Sequence, residues 1–185
     1  MKPTRFIRHA IAATFLAAGC AHAADFSLSS PDVADGKTMN VQQEFSGFGC
    51  SGVNISPALS WTNAPAGTRG FAVTVYDPDA PTGSGWWHWV VVNIPADTSG
   101  LAHGAGSGKA DLPAGSLQTR TDYGQPGFGG ACPPKGDKPH RYIFTVYALK
   151  TAKLDVKPES SAAEVGFNLH FNTLGKASLT ALYGR

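Results

Sequence analysis

The sequence is poor in charge, and the charge it has is not organised. Only 15% of its 185 residues are Asp, Glu, Lys or Arg. It has no basic stripe, no recognition-helix pattern and no aromatic motif of the RNP kind, so no nucleic-acid partner is expected. Internal repeats and interdomain linkers are also lacking. The 42% hydrophobic content, 22 glycines and 13 prolines instead predict one domain of short strands and many turns.

The motifs of several common site types are missing as well. No serine lies in a G-x-S-x-G turn, which argues against a nucleophilic hydrolase. The stretch HGAGSGKA fails as a phosphate loop because Lys109 is followed by Ala110 rather than Ser or Thr. In DPDAPTGSG, Pro81 and Thr82 stand where an EF-hand needs an acidic ligand and a glycine. The chain is therefore expected not to be an enzyme, and neither a cofactor nor a metal is expected.

The N-terminal segment lacks acidic residues and has the composition of an export signal. A basic start at 2–8 precedes an apolar stretch at about 10–18, and the triplet AHA ending at Ala23 fits a cleavage site. Because the apolar stretch is too short to span a bilayer, no transmembrane segment is expected. A signal peptide at 1–23 and a mature domain at 24–185 are predicted.

Removal of that segment changes the charge and the cysteine inventory. It carries three of the 15 basic residues and no acidic one, which leaves 12 basic against 13 acidic residues. The mature protein is expected in the periplasm or outside the cell. A lipoprotein anchored at Cys20 is the alternative, since Leu16 to Cys20 loosely resembles a lipidation box.

After removal of the signal peptide, Cys50 and Cys132 remain, and two cysteines in an exported domain favour a disulfide.

Segments rich in β-branched and aromatic residues, bounded by Pro, Gly or Asp, predict a mainly β fold. The clearest strands are predicted at 71–76, 87–94 and 141–149, with weaker candidates at 26–30, 41–45 and 59–62. The long segment 100–139 is rich in glycine and proline and predicts functional loops.

Residues 161–185 are predicted to be helical and to pack against the sheet. Ser161 and Glu164 match a capping box. The larger apolar residues recur near helical spacing: Phe167, Phe171, Leu174 and Leu182.

Strand alternation identifies candidate site residues, because side chains two positions apart share one face of a strand. Asp77 follows the apolar face that includes Val75. His88 is expected to share a face with Val90, Val92 and Ile94, and His140 is expected to share one with Tyr142. Three mainly apolar faces thus end in polar residues, an arrangement that predicts a small polar pocket at the rim of a β core.

These motifs also occur together in an informative order. DPDAP, then WHW-V-NIP, then the HRY-F-Y strand, supported by CSGVNISPALSW and GGACPP, resemble the phosphatidylethanolamine-binding protein family, in its bacterial Raf-kinase-inhibitor-like branch. The resemblance covers nearly the whole mature chain. It implies a two-sheet, β-sandwich-like core with the C-terminal helix at its side.

The resemblance also implies a ligand pocket. The family's motif positions correspond to Asp77, Asp79, His88, His140 and Tyr142, four of which strand alternation had already selected. Imidazole N–H and phenol O–H groups can donate to phosphate oxygens. Backbone N–H groups near Gly130 are expected to add donors.

The predicted function is therefore an exported, non-enzymatic protein that binds a small anionic ligand, such as a phosphate ester or the phosphatidylethanolamine head group. The alternative is a protein-interaction or inhibitor module with a protease or a host protein as target. A hydrolase that uses Asp77 with His88 as an acid/base pair, and a metal held by His88, His140 and Asp77, are less favoured.

Overall fold

The computed structural model describes residues 24–185, so the predicted signal peptide and Cys20 lie outside the described residues. The strands are β1 Ser27–Ser29, β2 Ser46–Gly47, β3 Cys50–Ser51, β4 Leu59–Thr62, β5 Gly70–Asp77, β6 Trp86–Pro95, β7 Gly100–Leu101, β8 Leu117–Gln118, β9 His140–Leu149 and β10 Thr173–Tyr183. Helix α1 spans Ala162–Asn172. None of the helices in this part of the chain is long and apolar enough to cross a bilayer.

A five-stranded antiparallel sheet with the order β10-β9-β5-β6-β8 forms the centre of the domain. Its three central strands, β9, β5 and β6, are the segments that the sequence predicted most clearly. They are nearly continuous runs of Val, Phe, Trp and Tyr because both of their faces are covered.

One face of this sheet packs against the three-stranded sheet β1-β4-β7. Leu59 and Trp61 of the smaller sheet join Val73 and Phe144 of the larger one in a shared buried cluster. The other face is covered by α1, whose Leu169 packs in a second cluster. Each such buried side chain contributes about 1.5–3 kcal/mol of transfer free energy. The predicted mainly β, two-sheet core with a helix at its side is confirmed, and the hairpin β2–β3 adds a third, two-stranded sheet.

The weaker strand prediction at 41–45 is wrong. Val41–Gln43 forms a 3-10 turn instead. The Asn40 side chain accepts a hydrogen bond of 2.7 Å from the Gln42 N–H and so initiates the turn. Asparagine competes for local backbone donors in this way, and here that local bond overrides the β propensity of the flanking residues.

The helix prediction for 161–185 is correct only in its first half. The capping serine is confirmed, since Ser161 Oγ accepts from the Glu164 N–H at 3.2 Å, and α1 ends at Asn172. From Thr173 the chain is strand β10, antiparallel to β9. The burial of Ala177, Leu179 and Ala181 at every second position shows the strand period, which long-range pairing with β9 selects over the helical spacing.

The expected apolar face of the helix is also wrong. Ala162, Val165 and Leu169 are the residues of α1 that face the sheet, whereas Phe167 and Phe171 are exposed. The two phenyl rings instead contact each other, with centroids 5.0 Å apart. The small Ala162 and Val165 allow α1 to lie close to the sheet, and the larger rings are left on the outer side.

Two irregularities in the pairing of β5 with β6 change the face of the sheet on which His88 lies. Val75 pairs with Trp89 and Tyr76 pairs with Trp87, so His88 is an extra residue on β6. A second register shift lies near Asn93, which has a φ of 58°. Val90 and Val92 therefore pack under α1, whereas His88 contacts Tyr142 of the opposite cluster, with ring centroids 5.1 Å apart. His88 does not share a face with Val90 and Val92, because the bulge rotates it to the other side.

The predicted disulfide is present between Cys50 and Cys132, which are 82 residues apart in the sequence. It ties the β2–β3 hairpin to the loop that precedes β9. Replacement of both cysteines by serine should lower the free energy of unfolding by about 2–5 kcal/mol, because the unfolded chain regains the entropy of a long loop. Urea denaturation of the double variant under non-reducing conditions measures this difference. A difference below 1 kcal/mol would contradict it, and reduced wild-type protein is the matched control.

Candidate functional site

A cavity of about 180 Å³ opens where β5 ends and where β6 and β9 begin. The polar side chains in its lining include Asp77, Trp86, His88, Tyr123, His140 and Tyr142, and Phe48, Pro81, Pro133 and Pro134 add apolar surface. Four of the residues predicted from the sequence, Asp77, His88, His140 and Tyr142, thus lie together in one wall.

Asp77 and His140 form a buried pair at the base of the cavity. His140 Nδ1 lies 2.8 Å from Asp77 Oδ2, and the two residues are only 4% and 2% exposed. The other carboxylate oxygen, Oδ1, accepts hydrogen bonds from the backbone N–H groups of Asp79 and Ala80 at 2.8 and 3.1 Å. Because a carboxylate only accepts, the proton lies on Nδ1. His140 Nε2 is 3.5 Å from the half-exposed Asp137.

His88 is held by backbone carbonyls rather than by a carboxylate. Its Nδ1 lies 2.8 Å from the Gly129 oxygen and 3.2 Å from the Gly130 oxygen. Since carbonyls only accept, Nδ1 carries the proton. Burial lowers the pKa of His88 below its usual 6.5 despite these bonds. The neutral ring therefore offers the cavity the lone pair of Nε2, an acceptor rather than the donor expected from the sequence.

Three buried polar atoms in the cavity wall make no hydrogen bond of normal distance and angle with the described residues: Trp86 Nε1, His88 Nε2 and the Tyr142 hydroxyl. Burial and the nearby Asp77 charge raise the pKa of Tyr142, so its hydroxyl keeps its proton. The indole N–H of Trp86 is a donor only. The cavity therefore combines two donors with one acceptor, and each costs free energy while it remains unpaired.

Gly130 supports the cavity from behind. Its N–H donates to Asn54 Oδ1 at 2.7 Å, and its carbonyl accepts the Tyr123 hydroxyl at 2.8 Å. A Cβ at this position would lie 2.3 Å from the Gln43 oxygen, so only glycine allows the two backbones to approach. The Gly129 N–H donates to the His88 carbonyl. Neither N–H is free for a ligand, so the expected backbone donors are not available.

Asp79 lies outside the cavity lining. It forms a two-pronged ion pair with Arg141, with Oδ1 2.7 Å from one terminal nitrogen and Oδ2 2.9 Å from Nε. The Arg141 backbone N–H also donates to Oδ2. The Arg141 guanidinium lowers the pKa of Asp79 to about 2. Asp79 therefore ties the turn after β5 to the start of β9, and its role as a ligand contact stays a prediction.

Other residues of the site were missed or misjudged from the sequence. Strand alternation and the family motifs select neither Trp86 nor Asn54, which holds Gly130 from 76 positions away. No local pattern links two positions so far apart. Within residues 24–185, no group of three or more His, Cys, Asp or Glu side chains is arranged to hold a metal.

The tautomer of His88 is directly testable. We expect its single proton on Nδ1 throughout pH 6–8, because two carbonyls accept it and burial disfavours the cation. The unfolded chain then binds a proton that the native state excludes, so the free energy of unfolding should fall as the pH drops below the usual value of 6.5. Nitrogen-15 NMR of the imidazoles reports the tautomer, with the exposed His170 of α1 as an internal reference. A proton on Nε2, or titration at or above pH 6.5, would contradict the assignment.

Comparison with known proteins agrees with this geometry. A family model described as "Phosphatidylethanolamine-binding protein" matches residues 29–184. The chain is 57% identical to the Escherichia coli protein YbhB over 156 residues, which are 84% of this chain and 98% of YbhB. It is 34% identical over 158 residues to the putative lipoprotein LppC of Mycobacterium tuberculosis, covering 85% of this chain and 71% of LppC.

The fold comparison leads to the same family. The crystal structure of Escherichia coli YbcL, described as a new member of the mammalian PEBP family, matches with a TM-score of 0.85 and 54% identity, over 88% of this chain and 99% of YbcL. The predicted family resemblance is confirmed. The chain belongs to the phosphatidylethanolamine-binding protein family, in the bacterial branch that includes YbhB and YbcL.

Proposed function

We propose that this protein is an exported, non-enzymatic binding protein whose cavity holds a phosphate ester of charge −1. The observation that carries the proposal is the set of three unpartnered buried polar atoms that line one small cavity. Buried polar groups are rarely left unpaired, and three of them facing one cavity support a site in which a bound polar molecule completes the bonding. Phosphate oxygens accept from the Trp86 N–H and the Tyr142 O–H.

The charges around the cavity select among phosphate ligands. Asp77 is an anion within the wall, and its charge is offset in part by the bonds from His140 and from two backbone N–H groups. A phosphate dianion is disfavoured beside it, whereas a diester carries one charge only. The aromatic rings of Trp86 and Tyr123 provide faces for an ammonium group through cation–π attraction. A phospholipid head group, which joins a phosphodiester to an amine, meets both conditions.

His88 links binding to proton uptake. A bound phosphate favours the charged imidazole, so binding raises the pKa of His88 from its lowered value and draws a proton onto Nε2. The affinity for a phosphodiester should therefore increase as the pH falls from 7.5 to 5.5, by up to about tenfold per unit. Glycerophosphoethanolamine is a suitable probe, because its diester does not titrate in this range.

Calorimetry of that probe in two buffers of different ionisation heat measures the proton uptake, and NMR reports whether the two cavity histidines shift. Absence of any shift at millimolar probe across this pH range would refute the proposed function. Binding that weakens toward acid pH would instead show that His88 is not the linked group.

Tyr142 allows stability and binding to be separated. Tyr142→Phe removes a buried hydroxyl without a partner, so the ligand-free protein should become more stable by about 1 kcal/mol. The same variant should bind glycerophosphoethanolamine at least tenfold more weakly. Tyr123→Phe is the matched control, because it removes a hydroxyl that does donate, to Gly130, and should destabilise the protein. Equal effects of both variants on urea stability would contradict this assignment.

The absence of catalysis is part of the proposal. Cys132 lines the cavity but is held in the disulfide, and the Thr82 hydroxyl donates to the Gly85 carbonyl. Asp77 bonds to His140, which argues against its acting with His88 as an acid/base pair. The competing hydrolase would use His140 as base, and release of product from glycerophosphoethanolamine would establish it. For the competing protein-interaction function, binding of a protein partner that survives Tyr142→Phe would favour that alternative.

The proposal of export rests on the disulfide, because such bonds persist in oxidising compartments and are rare in the cytosol. The relative from Mycobacterium tuberculosis that carries the name of a putative lipoprotein agrees with this. Mass spectrometry of the protein from its native cells distinguishes cleavage after Ala23 from lipidation at Cys20.

A further inference from the structure

A second cavity, of about 270 Å³, lies between α1 and the strands β5, β6, β9 and β10. Thr74, Trp87 and Tyr147 line it from the sheet, and Gly166 and His170 line it from the helix. Trp87 and Tyr147 pack with the cluster beneath α1, so the central sheet separates this cavity from the first one. The two cavities share no lining residue among those described.

Gly166 keeps the second cavity open at a cost to the helix. It lies in the interior of α1, where glycine is less favourable than any residue except proline. No close approach requires glycine there, because an added Cβ would meet no neighbouring atom within 4 Å. Alanine would therefore fit and favour the helix. Glycine at such a position indicates that the space itself is used, at the expense of stability.

The walls of this cavity suit a flat apolar group. The Trp87 and Tyr147 rings lie on the sheet side, and Val165 and Leu169 lie on the helix side. Tyr76 supports the Trp87 ring, with the two ring centroids 4.5 Å apart. An apolar cavity of about 150 Å³ accommodates benzene, so about 270 Å³ holds an aromatic ring with a short substituent.

The polar groups of the cavity favour a single negative charge on that substituent. Among the described residues that line it, His170 and Lys176 are basic and none is acidic. Thr74, which is 2% exposed, adds a hydroxyl group. The acidic residue of α1, Glu164, accepts a hydrogen bond from the Ser160 hydroxyl instead. Because the C-terminal end of a helix carries partial negative charge, a monoanion is favoured here over a dianion.

We propose that this cavity is a second binding site, which takes a small aromatic carboxylate. The ring lies between the sheet aromatics and α1, in the space beside Gly166. The carboxylate accepts hydrogen bonds from Lys176 and His170. The site is separate from the first cavity and does not depend on the function proposed for it.

Phenylacetate is the probe, and its neutral amide, phenylacetamide, is the matched ligand. NMR of the Trp87 indole and the His170 imidazole reports occupancy and gives both affinities. Phenylacetate should bind at least fivefold more tightly, because only the acid accepts charge-assisted hydrogen bonds from the basic side chains. In Lys176→Gln this ratio should fall at least threefold. Lys153→Gln is the matched control, since Lys153 is exposed and lies outside the lining, and it should keep the ratio.

Substitutions of Gly166 test the location independently of charge. Gly166→Leu should weaken phenylacetate binding at least tenfold by filling the cavity, whereas Ala163→Leu, at an exposed position of α1 outside the lining, should not. Gly166→Ala should raise the urea midpoint of unfolding, because alanine favours the helix and its Cβ meets no neighbour. A lower midpoint would show that packing requires the glycine and would contradict the inference.

Three further results would overturn the second site. One is the absence of shifts at both Trp87 and His170 at millimolar phenylacetate, and another is equal affinity of the wild-type protein for the acid and the amide. The third is loss of phenylacetate binding in Tyr142→Phe, which would place the probe in the first cavity. Phenylacetate binding that survives Tyr142→Phe and is lost in Gly166→Leu supports the inference, whatever the first cavity binds.

Discussion

The site depends on one local departure from regular strand geometry, the extra residue at His88 in the pairing of β5 with β6. In a regular strand, His88 would share a face with Val90 and Val92, which pack beneath α1. The bulge places it instead on the side of Asp77 and Tyr142. Bulges re-aim side chains at the cost of one unpaired residue, and here the unpaired residue is the histidine that the cavity uses.

Backbone groups then decide what that histidine can do. The carbonyls of Gly129 and Gly130 hold the proton on Nδ1, and burial keeps the ring neutral. His88 therefore presents a lone pair on Nε2 to the cavity. His140 has a different partner, the Asp77 carboxylate, so the Nδ1 protons of the two imidazoles are held by different acceptors.

Distant segments hold these carbonyls in position. Asn54 binds the Gly130 N–H, Gln43 accepts from the Ala131 N–H, and the disulfide links the adjacent Cys132 to the β2–β3 hairpin. The same connections support the exposed ring of Phe48. Rigid support of this kind explains how polar atoms such as Trp86 Nε1 and Tyr142 OH remain buried and unpartnered, because the wall cannot collapse to pair them.

The sequence by itself determined the family, the three central strands and the capped start of α1, because each depends on residues close together in the chain. Its motifs also named Asp77, His88, His140 and Tyr142 as candidates, but their meeting in one cavity depends on strand pairing and on the bulge at His88. Turn prolines, strand propensity and a capping serine act locally and can be recognised without a structure. Strand β10 could not be predicted, since its pairing with β9 outweighs a helical spacing that is present in the same residues. The orientation of His88, its tautomer, the placement of Asp79 outside the cavity and the use of Gly130 as a carbonyl acceptor were decided only by the tertiary structure. Each of these depends on a contact with a residue many positions away, and the register and direction of such contacts are set by packing of the whole domain.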